Sequence, residues 1–557
     1  MVKQSKFLTP KSLWEDFDGS EPLKETKIDE MRYNGIVYEK YYFSGRTTET
    51  DRVRIFGLYV SPEGGKKNRD AVLYVPDVTE KVAYEVINEY VSMGFSVLTV
   101  DLYGKREGEE NYTKYPEDVS YANYEERGRH CDFADLTAKE TCEYEWTCVL
   151  RYALNFIRQK NADAKIGAVG VKMGGNLVWQ LAATDDRLSC CAIMFGAGWS
   201  AYKGIFRYSE VEIDMNEERR RFIAAVDAHA YAPYVKCPVL FLTSTNSEVY
   251  DFDRANDTLS RIKDGVEYRF NFAANYNRYL DEHCKRDLAL FLKARLGDGE
   301  TVFPDAPEIE LSQNGNYLTA RLSFDASAPV SETKVFVSDG GLDPAHRDWE
   351  SCDLLSSDGN SEKFGYVLRG GNGFAYAYAA VTYKSGWTAS SKVAAIKITG
   401  ITPKRSNLIY SGRDGLEGIT FYDKNAEVKD VFVKREDFIV LTKGADDILG
   451  IYSKYGLITY RIGAAAGGFT ENSMLKFDVF PFGFASIDLA FLKEEDGKIE
   501  KYLYSFELHA GNIWQNKTVK LGEFKSADGM GIKKFDGVFA LLIEGDGKFA
   551  VNNILVI

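Results

Sequence analysis

From Ala71 to Arg295 the chain alternates short, wholly apolar runs with longer amphipathic stretches. Ala71-Val72-Leu73-Tyr74-Val75 and Ser96-Val97-Leu98-Thr99-Val100 read as buried strands on either side of a helix near Val82 to Met93. After an acidic, tyrosine-rich loop from about Gly104 to Thr137, a long helix from Cys142 to Gln159 leads into the apolar run Lys165–Gly170. A small-residue helix follows over Gly174–Ala183. Cys190–Phe195, Pro238–Thr243 and Tyr268–Phe272 are further strands, and a closing helix spans Glu282–Arg295. Strands buried on both faces and separated by helices predict a mostly parallel α/β sheet with helices on both faces.

The period changes near Gly297-Asp298-Gly299-Glu300. Beyond it, short alternating runs such as Tyr317–Leu322, Lys334–Val337 and Ala375–Val381 predict an all-β region, and an immunoglobulin-like sandwich fits their number and spacing. A second seam at Pro403-Lys404-Arg405 precedes the alternating runs Met474–Phe480, Ser486–Leu492 and Val538–Glu544. Three domains are therefore expected, over residues 1–300, 301–402 and 403–557.

One short motif changes the picture. Gly170-Val171-Lys172-Met173-Gly174 has the glycine spacing of a nucleophile elbow, preceded by a strand and followed by a helix as that turn requires, but lysine stands at the nucleophile position.

The segment from Leu13 to Leu296 resembles the α/β-hydrolase esterases grouped with acetyl xylan esterases and cephalosporin C deacetylases. The likeness rests on Arg52–Tyr59, Gly196-Ala197-Gly198-Trp199, Tyr231–Leu240 and Phe252–Leu259. It implies a serine at Lys172, an aspartate where Thr245-Asn246-Ser247 places Ser247, and a histidine where Tyr276-Asn277-Arg278 places Asn277. It also implies a His-Gly-Gly type oxyanion turn where the chain has Pro76-Asp77-Val78. A hydroxyl and an amide cannot replace a carboxylate and an imidazole in proton transfer near neutral pH. Proline has no N–H to donate, and an aspartate repels a developing oxyanion. Loss of one triad member already costs orders of magnitude in rate. The joint replacement therefore predicts a pseudoesterase, linked to carbohydrate binding or assembly. The alternative is an active carbohydrate esterase or deacetylase-type hydrolase with a non-standard site around Lys172.

Lys172 itself has three readings: an ion pair with Asp77 or Asp101, each just past the end of a strand on the same sheet edge; an anchor for an anionic ligand; or an amine for covalent chemistry. His283, on the first turn of the closing helix, reads as structural. Tyr103 opens a tyrosine-rich loop that can line the cleft or a subunit contact, and Trp199 is a further binding candidate. The last segment resembles jelly-roll carbohydrate-binding modules through Gly511–Gln515 and Val551–Leu555. Its one tryptophan after the seam, Trp514, is a binding candidate or a core residue. Modules of this type often hold calcium, so a structural ion is admitted there, with no ligands assigned.

A net charge of −14 lacks the basic face that nucleic acid or an anionic membrane requires. Saccharides or acylated saccharides are the expected ligands, and a homo-oligomer is left open. The first ten residues lack the apolar core of a signal peptide, which predicts a cytoplasmic protein. Eight cysteines without a CxxC pair fit that compartment, and the five histidines show no zinc-binding spacing.

Overall fold

The structure, a computed structural model, describes residues 6–64, 69–80, 84–200, 207–208, 215–297, 301–369, 373–401, 407–424, 426–466, 468–495, 498–509 and 511–557. Val82 and both expected seams, at 298–300 and Pro403-Lys404-Arg405, lie outside the described residues. The chain forms two compact units. The first contains residues 1–243, 249–270 and 286–303; the second contains 244–248, 271–285 and 304–557.

The first unit is built on a nine-stranded sheet. Its strands are β1 (Thr26–Tyr33), β2 (Ile36–Thr47), β3 (Arg52–Pro62), β4 (Ala71–Val75), β5 (Ser96–Val100), β6 (Ile166–Val171), β7 (Leu188–Met194), β8 (Val239–Ser244) and β9 (Tyr268–Ala273). Their order is β1-β2-β3-β5-β4-β6-β7-β8-β9. Every residue of β4, β5 and β6 is buried, as central parallel strands covered on both faces must be. The pairs from β5 through β4, β6 and β7 to β8 are parallel.

The sheet is mixed, however, because β1, β2 and β3 pair antiparallel with one another and with β5. These three strands are absent from the helix–strand alternation. Their signal is local: Asn34 and Gly35 both take positive φ, 49° and 73°, in a two-residue turn that aligns Tyr33 with Ile36. Asn-Gly suits such a hairpin because both residues tolerate that conformation.

The α-helices before Pro304 among the described residues are α1 (Pro10–Trp14), α2 (Tyr84–Ser92), α3 (Cys142–Lys160), α4 (Met173–Thr184), α5 (Glu217–Ala225), α6 (Ala228–Tyr231), α7 (Phe252–Ser260) and α8 (Glu282–Leu296). Thr141 caps α3 by accepting from the Tyr144 amide at 3.4 Å. The helix is buried on most of its circumference, including Glu145, whose carboxylate is met by the Arg46 guanidinium. All eight cysteines are free, so no disulfide ties either unit. No helix among the described residues is long and apolar enough to cross a membrane.

After Pro304 the second unit contains four further sheets, and the strand pairs within them are antiparallel. Two lie between Glu308 and Lys397, and two between Leu408 and Val556. Burial alternates along their strands: Leu318, Ala320 and Leu322 of Tyr317–Ser323 turn inward, while Tyr317, Arg321 and Ser323 are exposed. That is the period-two pattern of a sheet with one dry face.

Candidate functional site

Lys172 joins β6 to α4 with φ 54° and ψ −117°, a conformation a side-chain-bearing residue rarely adopts. It costs roughly 1–3 kcal/mol and persists only where the surroundings enforce it. Its amide donates to Met194 O at 2.8 Å, and its carbonyl accepts from the Asn176 amide at 3.2 Å. A Cβ on Gly174 would lie 2.3 Å from the carbonyl oxygens of Val75 and Pro76. Glycine at 174 thus lets the start of α4 press against the end of β4. The strained turn of an elbow is present, with lysine at its tip.

That lysine is paired. Its Nζ lies 2.6 Å from Glu80 Oε1 and 3.9 Å from Asp77 Oδ2. Glu80 is absent from the sequence reading, although a signal exists: its amide donates to Asp77 O at 2.9 Å in a turn that brings the carboxyl three residues on back beside the first. Asp77 is mostly buried and its Oδ1 has no hydrogen-bond partner. Burial pushes its carboxyl up to about 6, with Lys172 pulling it back and Glu80 adding to the rise.

Asp101, the other expected partner of Lys172, is used differently. Its Oδ2 accepts from the amides of Gly104 at 3.0 Å and Thr113 at 2.8 Å, so it fastens the loop after β5. Burial raises its carboxyl and those amides hold it down. Of the two expected partners, Asp77 lies 3.9 Å from Lys172 while Glu80, which was not expected, makes the close contact, and Asp101 anchors its own loop.

Ser247 and Asn277 are both buried, on neighbouring turns. Asn246 N donates to Tyr276 O at 3.0 Å, and Ser244 Oγ donates to Asn277 O at 3.2 Å. Both turns belong to the second unit, and the amide side chains of Asn246 and Asn275 are spent on its backbone. Asn246 Nδ2 donates to Ala345 O at 3.0 Å and Arg347 O at 2.6 Å. Asn275 donates to Trp349 O at 2.8 Å and accepts from Trp349 N at 2.9 Å. His283 lies on the first turn of α8, with Nδ1 3.2 Å from Thr388 Oγ1. Asn246 and Asn275 thus tie these two turns to the main chain at residues 345, 347 and 349.

The aromatic candidates are also engaged. Tyr103 stacks on Tyr124 at 5.2 Å, carries the Arg106 guanidinium 3.8 Å from its ring centre, and donates to Glu125 at 2.8 Å. Trp199, at φ 59°, stacks on His229 at 3.8 Å, with Arg261 4.7 Å from its ring centre. His229 is itself 3.6 Å from Asp227 in a buried pair that the sequence reading did not single out. Trp514 packs on Phe480 at 5.5 Å and over Gly444 and Gly450, where added Cβ atoms would meet its ring at 2.7 and 2.6 Å. The glycines form a slot for the indole, so much of its face is covered.

A cavity of about 490 Å³ opens beside this ion pair in the first unit. Its wall includes Asp77, Glu80, Asp101 and Arg106 among the charged groups, and Tyr84 and Tyr112 among the aromatic ones. Such a volume suits a small ligand, and the mix of hydroxyl, carboxylate and guanidinium groups suits one rich in hydrogen-bonding positions.

Residues 57–275, from β3 to the turn after β9, match the model of the dienelactone hydrolase family. Among solved structures, the chain is similar to an acetyl xylan esterase from Paenibacillus sp. R4, at 16% identity over 53% of this chain and 98% of that one, with a TM-score of 0.39. Acetyl xylan esterase 1 from Thermoanaerobacterium sp. JW/SL YS485 matches at 15% identity over 50% and 89%, TM-score 0.37. The uncomplexed acylaminoacyl peptidase of Pyrococcus horikoshii matches at 16% identity over 48% and 43%, TM-score 0.35. A search of curated proteins gave no match.

Proposed function

We propose that the hydrolase-like domain has exchanged acyl transfer for binding, and that the cavity beside the elbow receives a saccharide or acylated saccharide. The observation that carries this reading is the engagement of Lys172. An amine ion-paired at 2.6 Å has no lone pair free to attack an acyl carbon. Ser247 and Asn277 supply no carboxylate–imidazole relay at the two positions that the resemblance assigns to one. What remains is a preorganised pocket whose tyrosines offer apolar faces and hydroxyls, and whose charged groups supply directional hydrogen bonds.

Titration of the full chain with acetylated and unacetylated xylo-oligosaccharides by calorimetry tests this reading. Saturable binding that weakens at least tenfold in Tyr112→Ala supports it. Absence of binding, or binding unaffected by that change, rejects it.

One observation favours a second reading, in which the domain is an active hydrolase of non-standard type. Asp77, with its carboxyl raised to about 6 and 3.9 Å from Lys172, has the environment of an acid–base group poised near neutral pH. Turnover of an acetyl ester that is lost in both Lys172→Ala and Asp77→Asn would select this reading over the first.

A further inference from the structure

A second polar cluster lies in the β-rich unit, formed by residues distant in sequence. His346 has a side chain only 8% exposed, with Nε2 3.5 Å from Asp343 Oδ2 and Nδ1 3.2 Å from Glu494 Oε2. The imidazole lies flat on Phe539, with ring centres 3.4 Å apart and planes inclined by 11°, which fixes its orientation. Asp343 Oδ1 accepts from the Ala345 amide at 2.9 Å, capping the turn Pro344–His346 and directing Oδ2 at the imidazole. Taking one oxygen or nitrogen from each of the three residues, all lie within 4.8 Å of one another.

We propose that Asp343, His346 and Glu494 bind one divalent transition-metal ion of the zinc class. Two carboxylates and one imidazole are hard and borderline donors that suit zinc, manganese or cobalt, and they leave room for water in the remaining position. Two ligands on a tetrahedral zinc ion, each about 2.0–2.1 Å from it, are about 3.3 Å apart. Charge-assisted hydrogen bonds are shorter, about 2.7–2.9 Å. The Nε2–Asp343 separation of 3.5 Å lies near the first value, whereas the 3.2 Å to Glu494 is measured from the opposite ring nitrogen, Nδ1.

An ion occupies one ring nitrogen, so the ligand atom on the far side must approach. Closing a gap of at most 4.8 Å to about 3.3 Å asks for no more than about 1.5 Å of movement. The Glu494 side chain, 27% exposed, has that freedom.

Charge agrees with geometry. A divalent ion cancels the charge of the two carboxylates. Asp343 and His346 follow the strand Val330–Ser338, whereas Glu494 belongs to the strand Ala485–Glu495. The ion would therefore fasten the loop around residue 343 to a strand of the last sheet pair.

The test uses the full chain, stripped with chelator, dialysed and titrated with zinc chloride, then with cobalt chloride. Expected are one zinc ion retained per chain, a rise in melting temperature with zinc, and visible cobalt absorption of a low-coordinate site. In His346→Ala, and separately in Glu494→Gln, zinc uptake should fall at least tenfold. Metal-free melting curves of the variants show whether each still folds. If His346→Ala does not fold, His346→Gln and Glu494→Gln carry the comparison. Absence of zinc uptake overturns the proposal, as does uptake unchanged in the variants.

Discussion

Lys172 Nζ sits 2.6 Å from Glu80 Oε1 at the tip of a strained strand-to-helix turn. The side chains are 28% and 46% exposed, so solvent screens the pair and it contributes at most about 1 kcal/mol. Its role is to fix where the amine points. Glu80→Gln should therefore leave urea unfolding within about 1 kcal/mol of the parent. Labelling of Lys172 by an amine-reactive reagent, read by peptide mass spectrometry, should become faster in the same variant. A large loss of stability, or labelling as slow as in the parent, would show that Glu80 does not hold the lysine.

Asp77 makes a prediction about pH. Its folded carboxyl is raised to about 6 from 3.8, so the folded state binds the proton more tightly than the unfolded chain. Stability contributed at this residue is therefore greatest below pH 4, falls as pH rises towards 6, and stays lowered above. A shift of this size corresponds to roughly 1–3 kcal/mol. Asp77→Asn removes the titration, so measured against the parent it should gain that amount between pH 4 and pH 7. Unfolding curves at the two pH values decide it, and equal differences at both would contradict the assignment.

Asn275 exchanges two hydrogen bonds with the main chain of Trp349, and Asn246 gives two to Ala345 and Arg347. Truncation strands buried backbone groups, each costing about 1–3 kcal/mol. Asn246→Ala and Asn275→Ala should each destabilise by about 2–4 kcal/mol, seen as lower urea midpoints. A conserved catalytic role would predict the opposite pattern: loss of activity with stability unchanged.

Much of the α/β domain was legible because buried parallel strands announce themselves as uninterrupted apolar runs, as Ala71–Val75 and Ile166–Val171 do. The elbow was legible because Gly170 and Gly174 are demanded by close backbone approach, whichever residue sits between them. The hairpin β1–β2 was missed since its strand β1 is exposed throughout and offers no apolar stripe; only Asn34-Gly35 marks it. Glu80 was missed because its contact with Lys172 depends on the turn after β4. Asp101, the alternative to Asp77, spends one oxygen on its own loop, because lying on the right sheet edge does not say which groups a carboxylate meets. The cluster at His346 is invisible to spacing, as Glu494 arrives from a distant strand.

The most direct test of the central claim is hydrolysis of 4-nitrophenyl acetate and acetylated xylan by the full chain, with Lys172→Ala in parallel. The pairing of Lys172 and the residues at 247 and 277 predict turnover no greater than in the variant. Turnover in the parent that disappears in Lys172→Ala would contradict the binding account and make the elbow lysine part of a catalytic site.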